Sequence, residues 1–524
     1  MILHFKVQKY LFFSIPAAIF FVILHFTNTN KRMRAIVFSF FLLYTLLLFV
    51  VMWVTSRKAT NKTYFTGNRQ SPWFVVAYGM IGASLSGVTF MSVPGDVATT
   101  QFTYFGVVLG YILGYLTIAL VLMPVYYKYK VTSIYEFLGE RLGNEAHKTG
   151  SVIFIISRLL GSALRMYLVI YVLQIFIFDA WHIPAWVTAS VMIAIILLYT
   201  FRGGIKTVVW TDTLQTTFLL AALVITIAVI FKEMQITPAE AWQAMSTQGY
   251  TKVFETDWHL GNHFLKQILG GMFITIVMTG LDQDMMQKNL TCKSLREAQY
   301  NIFSFTGILV FVNALFLLLG GLLLIYANSK GIDISTMATD RIYPEIAFNY
   351  LGTFTAIVFV IGLISAGYSS ADGTLTALTT SICFDLIKLD ERIADERKKI
   401  LLRRGIHIGV SLVFLFIIII FAQFHNDALI RIIFMVASYT YGPILGLFAF
   451  SIFTKSSIKK SLRPLIPVIA ILAPTICYIL SSHSQEWLGG YSFGFELLIF
   501  NGLLTFCGLK LLSISQEKTE KIKK

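Results

Sequence analysis

A polar cluster interrupts one long apolar segment of the chain. Residues 364–375 read ISAGYSSADGTL, and the residues on both sides are apolar enough to lie in lipid. A polar group in hydrocarbon costs several kcal/mol unless another group satisfies it. These side chains therefore either hold helices together or bind something polar that belongs there. The cluster comprises Ser369, Ser370, Asp372 and Thr374.

Charged side chains occur inside other apolar segments, where such residues mark functional sites by default. No histidine lies at mid-depth, and the sequence contains no metal-ligand cluster, no nucleophile–base arrangement and no GxxxxGK[ST] phosphate loop. The pattern does not support an ATP-driven pump or an intramembrane enzyme, so we expect that the protein is not an enzyme. The charged residues are Asp96, Arg158, Arg165, Asp212, Asp282, Asp284 and Arg431.

The segments that carry these residues are typical of membrane-spanning helices. Of the 524 residues, 56% are hydrophobic and 13% are charged, whereas a soluble protein has about a quarter charged residues. Apolar runs of roughly 20 residues, enough to cross the bilayer core, recur along the chain. We therefore predict an all-α polytopic protein embedded in the lipid bilayer. Thirteen spans are predicted, at 35–55, 73–97, 104–127, 151–178, 183–200, 204–232, 264–287, 299–327, 351–385, 405–424, 427–454, 464–482 and 491–512.

The distribution of basic residues predicts the orientation. If 56–72 is cytoplasmic, the cytoplasmic loops and tail hold 29 Lys and Arg residues, Lys288 among them, and the opposite loops hold 3. Lys and Arg are enriched in cytoplasmic loops, so we expect a multi-pass protein of the cell (inner) membrane with a cytoplasmic C-terminus. The net charge of +15 then reflects these loops rather than binding of nucleic acid. The long outer segments 233–263 and 328–350 are each interpreted as a lid or a short surface helix.

The N-terminal residues 1–33 do not fit this pattern. Their apolar stretch at 10–26 would be a fourteenth span, but it would leave three basic residues outside. We favour a mis-called start with Met33 as the initiator, over an extra helix or an uncleaved signal-like segment. The rest of the chain is interpreted as a transmembrane domain at 34–513 and a basic cytoplasmic tail at 514–524.

Two predicted spans are interrupted by glycine. The span at 73–97 contains IGASLSGV, and the span at 264–287 contains GG and TG. If the first is counted as helix 1, the second is helix 6. Two broken helices five helices apart are expected in an inverted repeat that has its substrate site at the breaks. The alternative is that Gly and Pro are simply commoner in membrane helices.

Three motifs in the spans carry a resemblance to a known family: ASLSGV (83–88), WTDTLQ (210–215) and AGYSSADG (366–373). Together with matching loops, they make the chain resemble the sodium/solute symporter family, whose members carry sugars, proline, sialic acid, iodide, monocarboxylates and vitamins. The resemblance covers about 34–513. It implies a leucine-transporter-like 5+5 inverted-repeat fold with discontinuous helices 1 and 6, and secondary active Na+-coupled symport of a small organic solute into the cell by alternating access.

The resemblance also implies a sodium site between the break at 73–97 and the polar span at 351–385. Carried over residue by residue, the family's ligands correspond to two side-chain hydroxyls and three backbone carbonyls. The two hydroxyls and one of the carbonyls belong to the polar span, where they share one helix face. A hard cation such as Na+, the coupling ion, takes oxygen ligands of this kind. The alternative is that the hydroxyls only bond to a neighbouring helix. The implied ligands are Gly82, Leu85, Ala366, Ser369 and Ser370.

Some members of the family bind a second sodium ion, for which the resemblance implies Asp212, Ser369 and Asp372. Asp372 and Gly373 stand where the family has two hydroxyl residues. One hydroxyl has become a carboxylate and the other is missing, and two carboxylates beside one Na+ leave an excess negative charge. We hypothesise that Asp212 binds a second Na+ while Asp372 joins it or titrates. A one-sodium carrier is the alternative.

Arg165, near the midpoint of the span at 151–178, must meet an anion or an acidic partner because a charge at mid-depth is costly. Sialic-acid carriers of the family use an arginine in this helix. A substrate carboxylate is therefore one option, and an ion pair with an aspartate is the other. The sequence leaves the substrate open. Sugar carriers of the family have an Asn and a Tyr where this chain has the acids at 282–284, so the resemblance disfavours sugar recognition. The substrate-binding candidates are Arg165, Thr89, Asp282, Gln283 and Asp284.

Two other functions stay open at this point. A proton-coupled carrier of the same fold would use Asp212 or Asp372, and its uptake would follow a pH gradient without Na+. A transporter-like membrane sensor would signal through a partner and would show little Na+-dependent uptake. In the favoured function the partners are a small-molecule solute and the lipid bilayer, and the protein works as a monomer.

Overall fold

The structure of the protein is a computed structural model that describes residues 29–57, 60–423 and 429–514. The apolar stretch at 10–26 and the question of the true start lie outside these residues, as does nearly all of the tail at 514–524. Helices dominate the described part of the chain. In chain order, the helices at the predicted spans are α1 (Met33–Thr55), α2 (Trp73–Ser84), α3 (Gly87–Thr100), α4 (Tyr104–Tyr129), α5 (Asn144–Trp181), α6 (Ala185–Gly203), α7 (Ile205–Met234), α8 (Phe264–Gly280), α9 (Gln283–Asn289), α10 (Leu295–Lys330), α11 (Gly352–Leu386), α12 (Glu396–Phe421), α13 (Met435–Phe453), α14 (Lys460–Ser482) and α15 (Leu497–Leu512).

A helix lies at each of the thirteen positions where a span was expected. Within the described residues, ten single helices are long and apolar enough to cross a membrane, and two bent pairs supply one more each if each pair is one span. The last helix, α15, has 16 residues, fewer than the about 20 that usually span the hydrocarbon core. The prediction of a polytopic all-α membrane protein is confirmed.

The two glycine-interrupted spans are bent. α2 and α3 meet at 57° on either side of Leu85 and Ser86, and α8 and α9 meet at 69°. Close packing holds the first break in place: the amide of Gly82 donates to Thr216 Oγ1 of α7 at 2.9 Å, and a Cβ atom at Gly82 would meet that same hydroxyl. Glycine at this position therefore lets α2 approach α7 closely.

The polar span α11 lies at the centre of the bundle. It packs against α1, α2, α5, α7 and α9. Of its most apolar 18-residue stretch, 78% is buried inside the protein, whereas the corresponding share for the peripheral α14 is 22%. Its serine and aspartate side chains face neighbouring helices rather than lipid. Polar groups are tolerated at membrane depth under this condition.

The two long segments expected outside each contain a short helix. Pro238–Thr247 begins with a capping box and exposes most of its side chains, so it matches the expected surface helix. Thr339–Asn349 is mostly buried and lies so close to α3 that a Cβ atom at Gly95 would meet the Thr339 carbonyl. The second helix is therefore a buried cover over α3. One antiparallel ribbon joins β1 (Ser457–Ile458) to β2 (Ser513–Ile514).

Candidate functional site

The two helices that carry the five expected sodium ligands pack against each other. Gly82 lies in the last turn of α2 and Leu85 in the break, where carbonyls lack the next turn of amides that a continuous helix supplies. Ala366, Ser369 and Ser370 lie on one face of α11 and are at most 2% exposed. The Ser370 hydroxyl has no hydrogen-bond partner among the described residues. A cation in this position would find hydroxyl oxygens and carbonyl oxygens as ligands. Binding of Na+ there stays a prediction.

Ser369 also contacts Asp212 of α7. Its Oγ atom donates to Asp212 Oδ1 at 2.6 Å, and both side chains are fully buried. A hydroxyl that donates its proton still presents oxygen lone pairs, so Ser369 can contact an ion and Asp212 at the same time. The expected sodium site is therefore adjacent to a buried carboxylate.

Asp372 is held by a different set of groups. Its Oδ2 atom accepts hydrogen bonds from Tyr199 at 2.8 Å, Thr211 at 3.4 Å and Gln215 at 3.5 Å. Its Oδ1 atom has no hydrogen-bond partner, and no ion pair reaches Asp372 from the described residues. The described contacts do not join Asp372 directly to Asp212, and the second sodium site stays a prediction.

Lys288 lies on the other side of Asp212. The sequence suggested a cytoplasmic loop for this lysine, but α9 carries it into the interior, where it is 1% exposed. Its Nζ atom is 2.9 Å from Asp212 Oδ2 and 3.3 Å from Asp284 Oδ1. The loop assignment was wrong because a hydropathy pattern places every lysine in water. Here Asp212 and Asp284 neutralise the charge of Lys288, so the lysine can be buried. The i, i+4 spacing of Asp284 and Lys288 is the sequence signal for their pairing.

Arg158 of α5 is a second buried cation beside the same acids. Its guanidinium lies 3.3 Å from Asp282 Oδ2 and also pairs with Asp284. Tyr441 of α13 donates to Asp282 Oδ2 at 2.9 Å, and the other carboxylate oxygen accepts from the first amides of α9. Asp282 and Asp284 thus join α5, α9 and α13. These contacts depend on how the three helices pack, so the sequence alone does not predict them.

Gln283 is also engaged by protein groups. Its amide oxygen accepts from the Ile134 amide at 2.9 Å, and its Nε2 atom donates to the Thr132 carbonyl at 2.9 Å. None of the three candidates Asp282, Gln283 and Asp284 lines the central cavity described next. Their position at a helix break suggested that they contact the substrate. Instead, Gln283 forms hydrogen bonds with the segment that connects α4 to α5, and the two aspartates contact neighbouring helices.

A central cavity lies between the two broken spans. Its volume is about 80 Å³, and both Thr89 and Arg165 line it, as expected from the sequence. Its walls come from α2, α3, α4, α5, α8 and α9. Eight hydroxyl-bearing side chains line it: Ser84, Ser86, Thr89, Tyr104, Tyr111, Tyr115, Thr275 and Thr279.

Arg165 reaches this cavity without an acidic partner. Neither an ion pair nor a hydrogen bond to Arg165 occurs among the described residues, whereas Arg158, two turns earlier on α5, has two carboxylate partners. The alternative was that Arg165 forms a structural ion pair with an aspartate. No such ion pair occurs in the described part of the chain. Its guanidinium is available to a ligand in the cavity.

The amino-acid sequence has relatives of known activity. It matches the model of the "Sodium:solute symporter family" over residues 64–460. It is 23% identical over 492 residues to the sodium/sialic acid symporter SiaT of Proteus mirabilis, covering 90% of this chain and 95% of that protein. It is 26% identical over 425 residues to human sodium-coupled monocarboxylate transporter 1, covering 75% of this chain and 64% of that protein.

The fold also matches a solved structure. A Na+-coupled sialic acid symporter in a substrate-bound, outward-open state superposes with a TM-score of 0.78 at 19% identity, covering 91% of this chain and 97% of that one. This likeness confirms the expected leucine-transporter-like fold, while the details of its internal repeat stay a prediction. The expectations of Na+ as the coupling ion, and of a solute symporter rather than an enzyme, are confirmed by the family match and these relatives. The chain belongs to the sodium:solute symporter family.

Proposed function

We propose that the protein carries a small organic solute with a carboxylate group into the cell together with Na+, by alternating access of the central cavity to the two sides of the membrane. The observation that carries the substrate class is the guanidinium of Arg165, which lines this cavity without an acidic partner. A charge inside a membrane protein needs a counter-charge. A substrate carboxylate supplies one, and arginine binds it through two parallel hydrogen bonds.

The two arginines of α5 support this division of roles. The charge of Arg158 is neutralised by Asp282 and Asp284, and its Nε atom donates to Thr374 Oγ1 of α11 at 3.0 Å. Arg165, two turns further along, shares its cavity with hydroxyl-bearing side chains. We infer that Arg158 holds the helices together and that Arg165 binds the solute.

The size of the cavity favours a small solute. One water molecule needs about 10–15 Å³ of such space, so a cavity of about 80 Å³ has room for roughly five to eight waters. Sialic acid and monocarboxylates, which two relatives carry according to their names, both contain a carboxylate. Either solute would present a carboxylate to Arg165, and Thr89 and the other hydroxyls of the wall suit oxygen substituents on it.

We assign Na+ to the break of α2 beside α11. Ser370 presents a buried hydroxyl without a partner, Ala366 and Ser369 lie on the same helix face, and Gly82 and Leu85 contribute carbonyls from the end of α2 and from the break. This combination favours a cation over a bound water.

The remaining expectations concern the setting of the protein. We infer a place in the cell (inner) membrane with the C-terminus in the cytoplasm, supported by the basic residues: without the buried Lys288, 28 of the 29 remain on one side, against 3 on the other. The transmembrane domain at 34–513 contains the whole matched region at 64–460. We also infer that the protein works as a monomer.

Paired substrates test the proposed substrate class. Proteoliposomes containing the purified protein, with Na+ outside and K+ inside, are given radiolabelled lactate, nicotinate or sialic acid, and each acid is compared with its neutral amide. We expect Na+-dependent uptake of at least one acid and none of its amide, because the amide lacks the charge that Arg165 requires. Equal uptake of an acid and its amide, or uptake of neutral solutes only, would contradict the proposal.

The two alternatives give different results in the same vesicles. A proton-coupled carrier would accumulate the acid under an inward pH gradient with K+ replacing Na+. A sensor would bind the acid and show no uptake under any gradient. The Arg202→Gln variant, changed at an exposed arginine at the end of α6, serves as a control and should transport like the unmodified protein.

A further inference from the structure

The ammonium group of Lys288 lies between two buried carboxylates. Its Nζ atom is 2.9 Å from Asp212 Oδ2 and 3.3 Å from Asp284 Oδ1. All three side chains are at most 1% exposed. Both contacts join the positive ammonium to a negatively charged carboxylate oxygen. The ammonium is thus held by charge, as a small metal cation would be.

Both carboxylate oxygens of Asp212 are engaged. Oδ1 accepts the hydrogen bond from Ser369 at 2.6 Å, and Oδ2 faces the ammonium of Lys288. A sodium ion bound to Asp212 would lie beside that ammonium, and like charges repel strongly in a buried setting of low dielectric. The carboxylate that suggested a second sodium ion therefore already has a cation.

Gly373 explains how Asp284 reaches this position. A Cβ atom at Gly373 would fall on the Asp284 carboxylate, so a hydroxyl side chain at this position of α11 would displace it. The missing side chain makes room for Asp284, and Asp284 holds Lys288 against Asp212. The glycine, the acid and the lysine form one arrangement.

We propose that the ammonium of Lys288 is a built-in cation that takes the place of a second sodium ion at Asp212, so that the protein binds one Na+. The proposal rests on the proposed sodium site at the break of α2, which would hold that single ion. It assigns to Lys288 a role in setting the number of coupled ions. It also assigns Asp212 to the lysine and not to a second sodium ion.

Counting bound sodium tests the proposal. Equilibrium binding of ²²Na+ to the purified full chain in lipid nanodiscs at pH 8 gives the number of ions per protein. We expect one ion for the unmodified protein and one for Lys288→Arg, which keeps the charge. We expect two ions for Lys288→Met, because Asp212 and Asp284 lose their shared cation and Na+ can replace it.

Two further variants complete the test. Lys266→Met is the matched control: this buried lysine of α8 contacts the Ser492 carbonyl at 3.1 Å and the Tyr491 ring at 3.7 Å instead of an acid. It should bind one ion. Asp212→Asn should also bind one, whereas a protein with a second sodium ion at Asp212 would fall from two to one.

The outcomes separate the two proposals. Two ions in the unmodified protein, falling to one in Asp212→Asn, would overturn the role of Lys288. One ion in a Lys288→Met variant whose melting temperature still rises with Na+ would overturn it as well. If Lys288→Met does not fold, the comparison of the unmodified protein with Asp212→Asn decides. No saturable Na+ binding in the unmodified protein would refute the proposed sodium site itself, and this inference with it.

Discussion

Ser369 of α11 and Asp212 of α7 are joined by a hydrogen bond of 2.6 Å. Asp212 is in turn paired with Lys288, Lys288 with Asp284, and Asp284 with Arg158, which lines the central cavity. A continuous series of contacts therefore runs from the expected sodium site to the cavity and touches four helices. Such a series is a physical route by which an ion at Ser369 can influence the cavity, and mutants along it can measure the coupling.

The two serines of α11 provide the first prediction. Replacing Ser369 or Ser370 with alanine removes one oxygen from the proposed sodium site, and an interaction with a charged group contributes about 1.5–3 kcal/mol. We expect the Na+ concentration for half-maximal uptake to rise about tenfold or more, with normal membrane insertion. The control is Ser365→Ala, because this buried serine of α11 bonds to Tyr44 and to its own helix. Unchanged Na+ dependence in both site variants would remove the serines from the sodium site.

Arg165 provides the second prediction. Lysine lacks the planar pair of donors that grips a carboxylate, so Arg165→Lys should raise the KM for a carboxylate substrate about tenfold or more. Binding of ²²Na+ to the purified variant should stay as it is in the unmodified protein. If the variant misfolds and a second change at one aspartate rescues it, Arg165 is instead part of a structural ion pair.

The two arginines of α5 should differ in their effect on stability. Arg158→Gln leaves Asp282 and Asp284 without their guanidinium, and breaking a buried ion pair from one side costs about 3–5 kcal/mol. We expect a clear drop in the melting temperature of the detergent-solubilised protein. Arg165→Gln, the matched variant on the same helix, should melt at the original temperature or above it. Equal losses in both variants would mean that Arg165 also has a structural partner.

Gly82 tests the close packing at the break of α2. A methyl group at this position would meet Thr216 of α7, and overpacking of this kind costs about 1–3 kcal/mol. Gly82→Ala should therefore lower the melting temperature and weaken Na+ binding, since the Gly82 carbonyl is an expected ligand. Gly307→Ala on α10, where a Cβ atom meets nothing within 4 Å, should be neutral or slightly stabilising. Equal behaviour of the two variants would contradict the packing argument.

Local patterns in the sequence predicted the parts of the site that depend on one helix at a time. The glycines around Leu85 predicted the break, and the spacing of Ala366, Ser369 and Ser370 placed them on one face of α11. Arg165 was also singled out locally, because a charge at mid-depth stands out in an apolar span. The structure confirms the break at Leu85 and places Arg165 on the cavity wall.

Contacts between distant segments were beyond sequence reasoning. Lys288 was assigned to a loop because a hydropathy pattern considers one span at a time. Its partner Asp212 belongs to another span, so the pattern carries no information that the two charges neutralise each other. Gln283 was taken for a substrate ligand because nothing in the sequence shows that it bonds to the backbone at Thr132 and Ile134. Which polar group meets protein and which meets substrate depends on the packing of the helices.

The ion dependence of uptake tests the proposed mechanism most directly. Proteoliposomes loaded with K+ are given a radiolabelled carboxylate that the protein accepts, and initial uptake is measured while external Na+ is replaced stepwise by K+ at constant pH and ionic strength. We predict that uptake saturates with Na+ at a Hill coefficient near 1, and that it disappears without Na+. Uptake that continues in K+ alone, or that follows a pH gradient in the absence of Na+, would contradict sodium-coupled symport.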